Sequence, residues 1–216
     1  MPDLSFQIEK AEPQRFTVAP TLLFKLRITN AVANEVIHSV ALRCQIQLEV
    51  ARRQYSAEDQ EHLLDLFGKP ERWGQTLKTM LWTHASVVAP AFTDTAVVDL
   101  PVPCTFDFNV AATKYFHGLG DGDVPLTFLF SGTVFYADGA ALQVAPIPWD
   151  KEARFRLPVK SWHDMMEVYY PNSAWLCLRR DVFERVYEYK VREGIPTWEE
   201  AFERMLAAVE PETILQ

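Results

Sequence analysis

Through the first three quarters of the chain, apolar and polar residues alternate. This period of two puts one set of side chains on a buried face and the other in water. Leu4, Phe6 and Ile8 start the pattern, and Pro13 closes it. After Pro20, Leu22, Phe24, Leu26 and Ile28 alternate with Lys25, Arg27 and Thr29. The longest run is Val36, His38, Val40, Leu42, Cys44, Ile46, Leu48 and Val50, which predicts a strand with His38 on its apolar face. Further strands are predicted over Leu77 to Val88, Thr95 to Val102, Thr105 to Phe116, Pro125 to Tyr136, Leu142 to Ile147 and Ala153 to Val159. Asp138-Gly139, within Ala137 to Ala140, is a hairpin signal between two alternating runs. His84 falls inside an apolar strand, which predicts a buried, hydrogen-bonded side chain.

Two interruptions are helical. Ser56 can cap a helix through Glu58 or Asp59, with Leu63, Leu64, Leu66 and Phe67 as its apolar face and Gly68 at its end. Residues 56–75 therefore read as a helical excursion between strands. After residue 159 the pattern changes for good. Ser161-Trp162-His163-Asp164 resembles a capping box opening a helix through Tyr169, stopped by Pro171. Asp181 can cap a helix to Glu193, supported by Asp181–Arg185 and Glu188–Arg192 pairs and closed by Gly194. Thr197-Trp198-Glu199-Glu200 opens a last helix, with Trp198, Ala201, Phe202, Met205, Leu206 and Val209 on one face.

About nine strands without periodic helices between them predict a mainly β, α+β fold. The expected form is an antiparallel β-sandwich or open barrel, immunoglobulin-like in style, spanning residues 1–159. Residues 160–216 are expected to form a helical C-terminal cap packed on the sandwich.

Composition narrows the function. With 49% hydrophobic residues among 216, a sizeable core is available. The net charge of −8 argues against a nucleic-acid surface. No apolar run approaches a membrane span, and Met1-Pro2-Asp3-Leu4 does not resemble a secretory signal. Cys44, Cys104 and Cys177 are odd in number and far apart, which fits a reducing, cytoplasmic setting better than a disulfide framework. Fourteen prolines against eight glycines mark a stiff scaffold, with prolines expected at strand borders.

Candidate chemistry is sparse. Three glycines gather in His117-Gly118-Leu119-Gly120-Asp121-Gly122-Asp123, where His117, Asp121 and Asp123 could form a weak cation or ligand loop. The bland alternative, a solvated loop between strands, is favoured, because neither an EF-hand nor a P-loop pattern is present. No nucleophile elbow or metal-spaced histidine pair occurs, so an enzyme is disfavoured and no cofactor is expected. Large amphipathic side chains concentrate at Trp149, Trp162, His163, Tyr169, Tyr170 and Trp175, with Arg179 beyond them. Such residues anchor interfaces, although gluing the helices to the sheet would use them equally well.

Tyr170-Pro171-Asn172-Ser173-Ala174-Trp175-Leu176 and Leu178-Arg179-Arg180-Asp181-Val182-Phe183, with Tyr189-Lys190 and Gly194-Ile195-Pro196-Thr197-Trp198, resemble a bacterial family, the domain of unknown function 6084. The resemblance covers the whole chain, including Trp149-Asp150 before the last strand. It implies an accessory role beside nickel–iron hydrogenases, with a hydrogenase subunit or maturation factor as partner, and it supplies no catalytic residues. The lack of paired cysteines disfavours direct iron–sulfur or nickel ligation. The expectation is thus a non-catalytic, protein-binding accessory protein. The alternatives are an enzyme or small-ligand binder with a pocket at the sandwich–helix junction, for which His84, His163 and Arg179 are the candidate polar groups, and a self-associating structural protein.

Overall fold

The computed structural model describes residues 2–139 and 141–209; Ala140 of the predicted hairpin turn and the last residues of the predicted cap lie outside these. Eight strands in the described residues form two antiparallel sheets. In the first, β2 (Thr21–Asn30) lies between β1 (Leu4–Gln14) and β5 (Thr95–Pro103). In the second, β3 (Ile37–Leu48) lies between β4 (Met80–Ala89) and β6 (Asp123–Asp138). The long β6 has two partners on its other edge. Its first half pairs with β8 (Glu152–Pro158) and its second half with β7 (Ala141–Pro146). The sheets form a sandwich and do not close into a barrel.

The alternating sequence builds the core directly. Leu22, Phe24, Leu26 and Ile28 are fully buried along β2, and Phe24 meets Phe128 of β6 edge-on at 5.1 Å. Phe6 stacks on Phe130 at 4.4 Å. Each such large apolar side chain, once buried, contributes about 1.5–3 kcal/mol. Prolines occupy the strands more deeply than expected. Pro13 lies inside β1 and Pro101 inside β5, while Pro103 ends β5 at the expected border. Both are edge strands of their sheet, where a missing N–H costs no ladder bond.

Two histidines expected on the apolar face are exposed instead. Ile37 and Ser39 of β3 face the adjacent residues Tyr136 and Phe135 of β6, so His38 is an extra, bulged residue. The bulge shifts the phase by one, burying Ile37 and turning His38 out. On β4, Ala85, Val87 and Ala89 pair with the buried Cys44, Leu42 and Val40 and share their face, so His84 points outward.

The predicted strand from Thr105 to Phe116 is a loop followed by a helix. The chain leaves the sheet after Pro103, and Ala111–His117 forms a helix whose Ala112, Tyr115 and Phe116 are buried. These stand at i, i+3 and i+4, a helical stripe that the β-branched and aromatic content disguises. The 56–75 excursion contains three short α-helices, Ala57–His62, Leu64–Phe67 and Trp73–Thr76, and a 3-10 turn at Pro70–Arg72; Ser56 and Asp59 form a complete capping box on the first.

The chain divides into two compact units, the second starting at Leu176. The helix Val159–Tyr169 belongs to the first, packing on β1, β8 and the Ala111–His117 helix. It begins two residues before the predicted Ser161 box, directly off β8, with Pro158 in the cap position. The second unit contains helices Arg180–Arg192 and Trp198–Ala207. Phe183 and Tyr187 of one lie against Trp198 of the other at 5.3 and 6.2 Å. Thr197 caps the last helix by accepting from the Glu200 N–H, as predicted. Arg179, not Asp181, holds the cap position of the helix before it. There Asp181 pairs with Arg179 and Arg192 with Glu193, in place of the predicted i,i+4 pairs.

Candidate functional site

The helix Val159–Tyr169 turns Trp162, Met165 and Met166 inward. Trp162 is 2% exposed and stacks on Phe116 at 5.4 Å. Beyond the helix the chain folds back on itself. Asn172 adopts a left-handed conformation at φ 50°, which asparagine tolerates better than most residues, and Ser173 N–H donates to the Tyr170 carbonyl. Trp175 then makes a parallel bridge with Asp107, its carbonyl accepting from the Phe108 N–H at 3.0 Å. Residues 170–175 are thereby fixed beside the 105–109 loop. That loop is itself braced by Thr105 Oγ1, which accepts from the Asp107 N–H, and by Asp107 Oδ1, which accepts from the Asn109 N–H.

Between these segments lies an open cup of about 370 Å³. Phe106 and Tyr170 are parallel, 5.7 Å apart at 7°, and Trp162 lies 5.8 Å from Phe106. His117 sits edge-on to Phe108 at 4.7 Å, and His163 and Glu167 complete the rim. His163 Nε2 lies 3.0 Å from the Leu119 carbonyl oxygen. A carbonyl only accepts, so His163 Nε2 carries a proton in this contact. Burial lowers the pKa of His117, and the neighbouring His163 and His62 lower it further.

The predicted interaction residues therefore separate. Trp162, His163 and Tyr170 line the cup, and His117, predicted for the ligand loop, joins them. Trp175 touches Tyr170 at 5.5 Å and is half exposed. Tyr169 turns elsewhere. Its hydroxyl donates to the Gln14 carbonyl and accepts from the Thr17 N–H, tying the helix to the end of β1. Trp149 stands in the turn between β7 and β8, 92% exposed and outside the cup. Arg179 lies in the second unit. Sequence reasoning missed Phe106, Phe108 and Glu167; the first two were hidden by the misread strand.

Asp121 and Asp123 serve a different structure. Arg53 donates to both of their main-chain carbonyls, and the Asp59 carboxylate, 3.5 Å from Arg53, accepts from the Gly120 N–H. The Asp123 carboxylate faces outward to Arg156 at 3.4 Å. A cavity of about 820 Å³ adjoins this clasp, lined by Arg52, Arg53 and Arg156 against Glu58, Asp59, Asp121 and Asp123. Most of these groups already bond one another, which makes the region a brace for the 120–123 segment. Among the described residues, no three His, Cys, Asp or Glu side chains are grouped to hold a metal. Burial pushes the thiols of Cys44 and Cys104 up to about 12, leaving them protonated and unreactive at neutral pH. No helix among the described residues is long and apolar enough to cross a membrane.

A family model described as a family of unknown function, DUF6084, matches residues 1–214. The chain belongs to that family. None of the curated proteins compared with this DUF6084 member matches it. Among solved structures, a β-glucosidase from Kluyveromyces marxianus is similar over 72% of this chain, at 9% identity and a TM-score of 0.24. The DUF6084 chain spans 15% of that enzyme's length, and a likeness this slight transfers neither fold nor activity.

Proposed function

We propose that this DUF6084 protein is a non-catalytic binding protein that takes an anchor side chain of a protein partner into the aromatic cup. The observation that carries the reading is the half-buried, parallel pair Phe106–Tyr170 at the mouth of a preformed hollow, with Trp162 packed behind it. Rings held this way present large apolar area without paying much ordering entropy on association, which is the character of an interface hot spot. Trp175, exposed beside Tyr170, extends the same surface. A cytoplasmic hydrogenase subunit or maturation factor is the first partner to try, on the strength of the family resemblance alone.

A tagged full-length chain, purified from cells that express the neighbouring genes, tests this. Tyr170→Ala should reduce recovery of the specific partner at least about tenfold, as expected for loss of a hot-spot aromatic. Trp149→Ala should leave it unchanged. Equal recovery by wild type and Tyr170→Ala would place the interface elsewhere. The cup's volume also lies within the range of small-molecule sites, which favours a small-ligand site as the second reading. In that case a metabolite, and no protein, should co-purify with wild type and be lost from Tyr170→Ala.

A further inference from the structure

The charge around the cup suggests what the anchor is. Among the described residues, Glu167 is the one carboxylate on its lining, and no lysine or arginine lines it. Glu167 is exposed on the helix Val159–Tyr169 and forms no hydrogen bond or ion pair among the described residues. Its neighbours on the rim are imidazoles, and His117 resists protonation, so at neutral pH that ring adds no opposing positive charge. Phe106, Trp162 and Tyr170 line the cup, and the π-system of an aromatic ring attracts a cation. Nearby Asn172 and Ser173 offer further polar atoms at the rim. An anionic guest would be repelled by a free carboxylate, and a purely apolar guest would leave that carboxylate without a partner.

We infer that the cup recognises an arginine side chain of the partner, with its guanidinium lying on the Phe106–Tyr170 rings and paired with Glu167. Arginine fits better than lysine because its flat, weakly hydrated head stacks on aromatic faces while its edge bonds a carboxylate. The whole chain's net charge of −8 favours approach of a basic segment. This inference rests on the cup being the binding site, and the test separates the two.

The probe is N-acetyl-Gly-Arg-Gly-amide, titrated into the isotopically labelled full chain and followed by NMR. Its counterparts carry citrulline, lysine or leucine in place of arginine. The arginine peptide should shift resonances of residues 105–109 and 163–173, with a dissociation constant on the order of millimolar. The citrulline peptide should bind about fivefold more weakly, since it keeps the shape and loses the charge. Glu167→Gln, a change at an exposed position, should shrink that difference, leaving the share due to the rings. Equal binding of arginine and citrulline, equal or tighter binding of lysine, or an unaltered arginine preference in Glu167→Gln would each overturn the inference. Binding of the leucine peptide alone would overturn the arginine assignment and leave the cup as a binding site. Absence of shifts in these segments with every peptide would overturn the arginine inference; the proposed function itself falls only if Tyr170→Ala also leaves partner recovery intact.

Discussion

The Arg53 guanidinium and the Asp59 carboxylate lie 3.5 Å apart, each only 7% exposed, and between them they hold the 120–123 segment. The pair joins the end of the β3 region to the loop that enters β6. Burial alone would raise the Asp59 acid. The Gly120 and Ser56 N–H groups and Arg53 outweigh it, and hold the carboxyl below its ordinary value. A carboxylate with a depressed folded-state pKa contributes stability that is present above about pH 4 and is lost as pH falls through the folded value. Asp59→Asn should therefore cost about 2–3 kcal/mol at pH 7 in urea unfolding. The difference from wild type should shrink as pH falls below about 4. A gap independent of pH would show that the charge contributes nothing.

Gly132 sits in β6 opposite Leu42 at φ 142°, and a Cβ there would lie 2.1 Å from the Ala41 carbonyl oxygen. The oxygen belongs to the backbone of the central strand β3, which cannot move aside without breaking its pairing on both sides. Gly132→Ala should destabilise the protein by about 3 kcal/mol or more. Gly74→Ala, where a Cβ meets nothing within 4 Å, should change stability by no more than about 1 kcal/mol. Denaturant midpoints of the two variants check the contrast.

Trp162 and Trp149 were equally good surface candidates in the sequence, and the structure separates them. Trp162→Ala should cost about 3–5 kcal/mol, because the ring fills space between Phe106 and Phe116. Trp149→Ala should stay within about 0.5 kcal/mol. Thermal unfolding of the two variants decides this.

The sheets were largely legible because β2 and most of β3 keep strict alternation, and a buried face imposes that pattern. What escaped were shifts of phase and contacts between distant residues. A single bulged residue turned His38 outward, and nothing in the composition around it marks a bulge. The helix Ala111–His117 carries Thr, Tyr and Phe, which favour strands on propensity; tertiary burial of Tyr115 and Phe116 overrides that preference. The aromatic region was visible as a concentration of Trp and Tyr. The cup was not, because it needs Phe106, His117 and Tyr170 together, and their meeting depends on how two loops fold back. Arg53 and Asp59 clasp a segment more than sixty residues later in the chain, which no local pattern announces.

His117 should titrate below an ordinary histidine, since burial, His163 and His62 all disfavour its charged form. Stability drawn from the neutral ring is present above about pH 6.5 and is lost as pH falls through the folded value. His163→Gln should raise the His117 midpoint part of the way toward normal, leaving the share due to burial. Ring-proton NMR titration measures both. A His117 midpoint unmoved in the variant would remove His163 as a contributor.

The central claim is that a partner is gripped at the aromatic cup, and hydrogen exchange on the partner-bound full chain tests it most directly. Binding should slow exchange in residues 105–109 and 159–175, which frame Phe106, Trp162 and Tyr170, and leave the outward face of β4 unchanged. Protection confined to the sheets' outer faces or to the second unit, with the cup segments exchanging as in the free protein, would contradict it.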